Sequence, residues 1–239
     1  MLTAIFWGGL AAASLLVGFY LSSRDLSNRS IGMVMGFGGG ALLSAIAYEL
    51  IPKSVAGGWL MGLAFIAGAL TFFGVDWMID RQGGADRKDI EGTQVGSGSA
   101  IFIGTLLDNI PESIILGMSL GLGGAINMAF LMAVFISNLP EGVAGTLNME
   151  AAGRPRQKIF GMWAWLVLIS AACAGLGYLI VSWLPAADGH FAQAFAAGAM
   201  LTMLADAMMP EAFEHGGKLV GIITVMGFLV SAILSGKEG

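Results

Sequence analysis

Charged residues are scarce in this chain of 239 residues. They make up 11% of the sequence, whereas soluble domains carry roughly 25%. Hydrophobic residues reach 56%, and the mean hydropathy is +0.81. So little charge is typical of a protein that is surrounded by lipid, and the composition predicts an integral membrane protein. The small net charge of -5 and basic residues confined to connections also argue against a nucleic-acid-binding surface.

Cysteine and histidine are almost absent. The one cysteine, Cys173, excludes an internal disulfide and any multi-cysteine metal site. The two histidines, His190 and His215, do not form a His-Glu-x-x-His unit, which argues against a hydrolase that uses a metal-activated water. No Walker-type lysine follows the glycine clusters, so ATP is not expected to drive any process. The sequence therefore predicts a protein that is not an enzyme and has no resident cofactor.

Long apolar runs, by contrast, are abundant. A spanning helix needs about 20 mostly apolar residues, and eight runs qualify. They predict an all-α membrane protein with one transmembrane domain over residues 1–239, in which the polar, glycine-rich residues 80–98 form a mobile cytoplasmic connection. The runs cover residues 2–22, 31–51, 57–79, 99–122, 125–148, 159–184, 190–213 and 216–236.

Lysine and arginine residues divide unequally between the two sides of the predicted membrane. Because cytoplasmic connections carry the excess of basic residues, the richer side is predicted to be cytoplasmic and both termini extracytoplasmic. Only Lys53 and Lys237 lie on the other side. The richer side, which faces the first connection, holds Arg24, Arg29, Arg81, Arg87, Lys88, Arg154, Arg156, Lys158 and Lys218.

Two internal repeats relate the spans. Residues Gly40–Pro52 of the second span align with Gly198–Pro210 of the seventh, and Asp108–Ser113 of the fourth align with Ser137–Gly142 of the fifth. In the predicted topology the second and seventh spans cross in opposite directions, as an inverted repeat requires. Inverted repeats with interrupted helices are typical of secondary transporters.

Seven acidic residues lie within the predicted spans, and no lysine or arginine accompanies them there. A charge at the bilayer centre costs about 2.5–3.5 kcal/mol on insertion scales, so these residues must be protonated, hydrated or paired with a bound cation. For Glu49, Asp76 and Glu211, a position in water near the membrane surface is an equally good interpretation. The seven are Glu49, Asp76, Asp108, Glu112, Glu141, Asp206 and Glu211.

The fourth and fifth spans each carry an Asn-x-Pro-Glu unit. Asp108 and Glu112 are four residues apart and share one helix face, with Asn109 beside them. Asn138 and Glu141 are three residues apart and share a face of the next span. Carboxylate and carboxamide oxygens are hard ligands, and a cluster of them inside a bundle suits a divalent cation.

A proline stands inside each unit and adds to this ligand set. Pro111 and Pro140 each remove one backbone hydrogen bond from their helix. The carbonyl groups of Leu107 and Ile136, one turn earlier, thereby lose their amide partners. Either proline alone would indicate a structural kink, but the repetition in adjacent spans favours a binding site.

The units Asn109-Ile-Pro-Glu112 and Asn138-Leu-Pro-Glu141 resemble the metal-binding motifs of ZIP (Zrt-, Irt-like protein) metal transporters, with bacterial GufA-like or zinc-uptake members the most similar. The resemblance implies secondary or facilitated transport of zinc, with iron, manganese, cobalt and cadmium as possible substrates. It also implies a binuclear site, a homodimer in a bacterial cytoplasmic (inner) membrane, and one helix bundle sliding against another. The metal ligands that it implies are Asn109, Glu112, Asn138 and Glu141, with Asp108 in a histidine position and Glu49 as a weaker candidate.

The chain departs from the ZIP pattern at two ligand positions. Asp108 stands where family members usually have histidine, and Ser137 where they have histidine or glutamine. Imidazole favours zinc, while oxygen ligands also suit manganese, so we expect weaker discrimination between zinc and manganese or iron. The departures leave an alternative open, namely a ZIP-like membrane metal sensor or subunit that does not transport.

Overall fold

The fold is entirely helical in the part of the chain that the computed structural model describes. That part comprises residues 1–24, 26–51, 58–79, 81, 98–122, 126–183 and 186–238. No strand occurs among these residues. Most of the predicted connection at 80–98 lies outside them, and so does Pro52 at the end of the first repeat.

Eight helical segments of the described residues are long and apolar enough to cross a membrane, which confirms the predicted all-α membrane architecture. They are called the first to eighth spans below. Their bounds are Leu2–Leu21, Asn28–Leu50, Trp59–Ile79, Ile101–Gly121, Met128–Ala151, Arg156–Trp183, Gly189–Gly216 and Leu219–Gly236. Three of the helices extend beyond these bounds. The helix of the fourth span is Gly98–Gly121, that of the seventh begins at Ala186, and that of the eighth is Leu219–Glu238.

Three spans are interrupted. The first divides at Ala13 into two helices that form one continuous span. The second ends in a π-helical turn at Ile46–Leu50, and the seventh contains one at Leu204–Met208. These turns fall at equivalent positions of the Gly40 and Gly198 repeat, because Ile46 aligns with Leu204 in the sequence alignment. π-Helical turns are rare and are frequently found at functional sites.

Basic residues enter the first turn of two helices, which the predicted bounds did not include. Arg29 follows Asn28 at the start of the second span, and Arg156 opens the sixth. Arg156 is held at this end of the bundle: it pairs with Glu150 at 2.5 Å and donates a hydrogen bond to the carbonyl of Phe19 at 2.8 Å. No lysine or arginine is among the buried residues of the described chain.

The spans pair in two groups. The second packs most extensively against the eighth and the third against the seventh, whereas the first, fourth, fifth and sixth pack among themselves. The second span also packs against the fifth, and the fourth against the seventh, so these contacts join the two groups. The fourth and fifth spans, which carry the Asn-x-Pro-Glu units, therefore lie along the boundary between the groups.

Reciprocal glycines allow the paired helices to approach closely, as the 37 glycine residues of the sequence predict. In each pair, one glycine from each helix faces the partner's backbone, and a Cβ atom at either position would collide with a carbonyl oxygen. Gly142, for example, would place a Cβ 2.5 Å from the Leu15 oxygen. The glycine pairs are Gly40 with Gly227, Gly68 with Gly198, Gly117 with Gly177, and Gly18 with Gly142.

These contacts reproduce the inverted repeat in three dimensions. Gly40 faces the backbone of Thr224 in the eighth span, while its equivalent Gly198 faces that of Phe65 in the third. The direction of the repeat also follows from packing. Gly32 lies beside Gly216 and Gly39 beside Leu204, so the second and seventh spans run antiparallel.

Candidate metal site

The repeated units of the fourth and fifth spans are buried in the middle of the bundle. Six polar side chains of these units, namely the five predicted ligands and Ser137, are each 3% exposed or less. Apolar clusters that include Ile115, Leu116, Phe130 and Val134 extend along the same two helices. Five of the eight buried charged or carboxamide side chains of the described chain therefore belong to these two units. The residues are Asp108, Asn109, Glu112, Ser137, Asn138 and Glu141.

A hydrogen bond between two asparagine side chains connects the units directly. Nδ2 of Asn138 donates to Oδ1 of Asn109 at 3.2 Å, and Nδ2 of Asn109 donates to the carbonyl of Thr105 at 3.0 Å. The second bond fixes the orientation of the Asn109 carboxamide. Oδ1 of Asn138 is buried and has no hydrogen-bond partner among the described residues. A buried oxygen of this kind is available to a cation.

Both helices continue through their prolines. Pro111 lies inside Gly98–Gly121 and Pro140 inside Met128–Ala151. Because proline has no amide hydrogen, the carbonyl groups of Leu107 and Ile136 cannot form the usual bond to the residue four positions later. The predicted backbone oxygens are thus one turn before Pro111 and Pro140, in the same layer as the asparagine pair.

The surroundings of the fifth span hold its unit in place. A Cβ at Gly38 of the second span would lie 2.8 Å from Cα of Ser137, so backbone meets backbone at this point of the boundary. Past Glu141, Thr146 donates to the carbonyl of Gly142 at 2.6 Å and accepts from Nε1 of Trp163 at 2.9 Å. The sixth span is thereby tied to the turn that follows Glu141. Sequence reasoning did not identify this tie, although a buried tryptophan requires an acceptor.

The acidic residues of the spans do not all gather in this layer. No three His, Cys, Asp or Glu side chains of the described chain converge into a group that could hold a metal. A metal held here would therefore require the asparagine and carbonyl oxygens beside the carboxylates.

Two other acidic residues of the spans lie outside this layer. Asp76 of the third span is buried at 3% exposure, which argues against the interpretation that it lies in surface water. Asp206 of the seventh span is exposed.

Glu49 lies apart from the asparagine pair. It is half-buried in the π-helical turn Ile46–Leu50, which packs against the seventh and eighth spans. The resemblance to ZIP transporters made Glu49 only a weaker candidate than the ligands of the fourth and fifth spans. Its position at the C-terminal end of the second span also separates Glu49 from those ligands.

The seventh span ends in an acid–histidine pair. Nε2 of His215 lies 2.8 Å from Oε1 of Glu211, one turn earlier. The side chains of His215 and Glu211 are only 6% and 15% exposed. This arrangement argues against the interpretation that Glu211 lies in surface water, and Gly32 of the second span packs against His215.

Several buried polar residues were not predicted, and Gln193 is one of them. Gln193 of the seventh span is 1% exposed, and neither its oxygen nor its nitrogen has a hydrogen-bond partner among the described residues. The available signal was a lone carboxamide in the apolar stretch Phe191–Leu201. Hydropathy alone gave this residue no weight, because a single glutamine hardly changes the mean of the window.

A large cavity near Pro111 is not suited to a cation. It has a volume of about 500 Å³ and lies between the fourth, sixth and seventh spans. Its lining is almost wholly apolar and includes Ile114, Met118 and Phe195. Such walls offer no oxygen ligands, so the polar layer and not this cavity is the candidate metal site.

Comparison with known proteins gives a distant relative. No protein-family model matches the chain. A protein of Arabidopsis thaliana named "putative zinc transporter" is 23% identical over 218 residues. The aligned region covers 89% of this chain but only 35% of the relative, so the chain spans about a third of that protein's length.

Proposed function

We propose that this protein transports divalent transition-metal cations across a membrane, with the cation held between the fourth and fifth spans. The observation that carries the proposal is the bond from Asn138 to Asn109, which joins two buried carboxamides at the centre of a layer that also contains Glu112 and Glu141. The likeness to a protein named as a zinc transporter supports a metal as the substrate.

The physical basis is charge compensation. A divalent ion that enters the apolar interior must exchange its hydration shell for protein oxygens, and carboxylates also offset its charge. Glu112 and Glu141 supply that charge, and Asn109 and Asn138 supply neutral oxygens. Protons occupy such carboxylates when the metal is absent and leave when it binds, so transport coupled to protons is compatible with this site.

We further propose that the transporter is of the ZIP-like type. We assign the ligands to Asp108, Asn109, Glu112, Asn138 and Glu141, and zinc as the main substrate with iron, manganese, cobalt and cadmium as others. The protein functions as a homodimer in a bacterial inner membrane, with both termini outside. Movement of the two groups of spans against each other exposes the site to alternate sides, and their boundary runs along the fourth and fifth spans.

The test is uptake by the purified full chain in liposomes, with Zn²⁺ and Mn²⁺ supplied separately. Glu112→Gln and Glu141→Gln keep the shape of the side chain but remove its charge, so both should abolish uptake. Asp206→Asn removes an acidic residue from the exposed side of the seventh span and should leave uptake unchanged. Absence of uptake by the unaltered protein, together with retained metal binding, would favour the alternative of a ZIP-like sensor or subunit.

A further inference from the structure

The apolar cavity near Pro111 lies at the boundary between the two groups of spans. Its volume is about 500 Å³, and its walls come from the fourth and sixth spans on one side and from the seventh on the other. Protein interiors are close-packed and contain few voids larger than a water molecule. A space of this size is therefore expected to hold something other than protein.

The chemistry of the walls indicates a hydrocarbon as the occupant. Every described side chain that lines the cavity is apolar. A buried water molecule needs polar partners, whereas an apolar cavity of about 150 Å³ stays dry and binds benzene or xenon. The cavity is larger than that and within the range of small-molecule sites, about 300–1,000 Å³. Water and ions are thus poor occupants, and an apolar molecule is a good one.

The rim of the cavity connects it with the lipid-facing surface. Ile180 of the sixth span and Phe191 and Phe195 of the seventh all line the cavity, and they are between 36% and 44% exposed. Because these residues lie within the spans, their outer surfaces contact the acyl chains of the bilayer. The bilayer is therefore a source of hydrocarbon that reaches the cavity without passing through water.

The length of the cavity is close to the thickness of one lipid leaflet. Residues 110–118 of the fourth span and 191–199 of the seventh contribute to its walls, which is about 12 Å along each helix. Half of a hydrocarbon core of about 30 Å is about 15 Å. An acyl chain aligned with the helices therefore fits the long dimension of the space.

The depth of the cavity also corresponds to one leaflet. Gly121 of the fourth span and Gly189 of the seventh both pack against Val181, so these ends of the two helices lie at one level. The wall near Met118 is therefore towards the membrane surface. Pro111, at the other end of the wall, is ten residues from each end of the fourth span, Ile101 and Gly121. The cavity thus extends from one membrane surface towards the middle of the bilayer.

We propose that an acyl chain of a membrane phospholipid occupies this cavity and acts as a removable spacer between the two groups of spans. The chain contacts the fourth and sixth spans of one group and the seventh span of the other. Because no bond holds it, the chain leaves or enters from the side when the groups move. The spacer role rests on the proposed transport function, whereas the binding of the lipid does not.

The experiment measures the phospholipid that the full chain retains. The protein is reconstituted into vesicles of palmitoyl-oleoyl phosphatidylethanolamine and phosphatidylglycerol, extracted in a mild detergent and analysed by native mass spectrometry. The unaltered protein should carry a phospholipid adduct. Ala192→Phe and Ile114→Phe fill the cavity from opposite walls and should lose this adduct. Ala172→Phe places the same side chain on the exposed surface of the sixth span and should keep it.

Melting temperatures in lipid-free detergent separate loss of the lipid from loss of the fold. Both variants that fill the cavity should unfold at an equal or higher temperature than the unaltered protein, because they place apolar side chains in an empty space. A lower melting temperature in both would show that the walls leave no room for an occupant and would overturn the proposal. Retention of the adduct by both variants would overturn it too.

The masses of the adducts identify the source of the acyl chain. An adduct with the mass of a phospholipid on the unaltered protein supports the proposal. An unaltered protein that carries no lipid, or only a free fatty acid, would contradict it.

Uptake of Zn²⁺ into the same vesicles separates this inference from the proposed function. The variants that fill the cavity should lower the maximal rate of uptake at an unchanged Zn²⁺ affinity, because an attached side chain does not leave when the groups move. An unchanged rate after loss of the adduct would show that the spacer role is wrong. If the unaltered protein retains phospholipid but takes up no Zn²⁺, the lipid site stands and the proposed function is wrong.

Discussion

Asn138 and Asn109 are linked by a hydrogen bond of 3.2 Å across two helices, 29 positions apart in the sequence. The bond sets the fourth and fifth spans in register at the level of their prolines. It leaves Oδ1 of Asn138 buried and without a partner among the described residues. One carboxamide therefore connects the helices and presents a free oxygen to the same layer.

Removal of this bond should lower both stability and metal affinity. Asn138→Ala leaves Oδ1 of Asn109 without its donor, and we expect the free energy of unfolding to fall by about 1–2 kcal/mol. Thermal unfolding in detergent and Zn²⁺ titration check the two effects. In the double variant with Asn109→Ala the losses should be clearly less than additive, and simple additivity would mean that the two carboxamides act independently.

Substitution of the prolines should separate stability from binding. Pro111→Ala restores an amide donor for the carbonyl of Leu107 and removes a helix-breaking residue worth about 3 kcal/mol in a helix interior. We expect the melting temperature to rise and Zn²⁺ affinity to fall, and Pro140→Ala should do the same through Ile136. An unchanged affinity in both variants would show that neither carbonyl is a ligand.

A histidine introduced at position 108 should sharpen metal selectivity. Asp108→His replaces a hard oxygen ligand with imidazole, which favours zinc over manganese. We expect the ratio of Zn²⁺ to Mn²⁺ uptake to increase about tenfold, the factor for a difference of 1.4 kcal/mol. Competition uptake in liposomes measures the ratio, and Asp206→His on the exposed side of the seventh span is the control. A strong zinc preference in the unaltered protein would contradict the expectation.

Two glycines of the third span provide a matched test of helix packing. Gly68 faces the backbone of Phe195, whereas Gly74 has no atom within 4 Å of its Cβ position. In an exposed helix, alanine in place of glycine stabilises by about 0.5–1 kcal/mol. Gly74→Ala should therefore raise the melting temperature, while Gly68→Ala should lower it because the third and seventh spans are forced apart. Equal shifts in the two variants would argue against close packing at Gly68.

Hydropathy was sufficient to predict the eight spans, and the Asn-x-Pro-Glu repeat identified two helices whose polar side chains are buried. The sequence did not separate Asp76, which is buried, from Asp206, which is exposed. Lipid and protein interior are equally apolar, so a hydropathy profile does not reveal which side of a helix faces the bundle. That side is set by contacts between distant residues, such as Gly68 with Phe195.

The relation between the fourth and fifth spans was also only partly predictable. The motif alignment equates Asp108 with Ser137. In the packing, however, Gly117 corresponds to Gly142: Gly117 faces the backbone of the sixth span, and Gly142 faces that of the first. The motif alignment would instead pair Gly117 with Thr146, which is about one helical turn further along. The motif alignment therefore follows the candidate ligands, whereas the glycine contacts follow the packing of the helices, and the two alignments differ.

The π-helical turns at Ile46–Leu50 and Leu204–Met208 decide which single-residue deletions the two repeated helices can absorb. A π turn holds one residue more than an α turn, so loss of one residue within it gives regular helix and leaves the residues beyond it on nearly the same faces. Loss of one residue from the regular part of a helix rotates everything beyond it by about 100°. In the seventh span, a deletion within Ala186–Met203 would therefore carry Glu211 and His215 away from their present faces, whereas a deletion within Leu204–Met208 would leave them there.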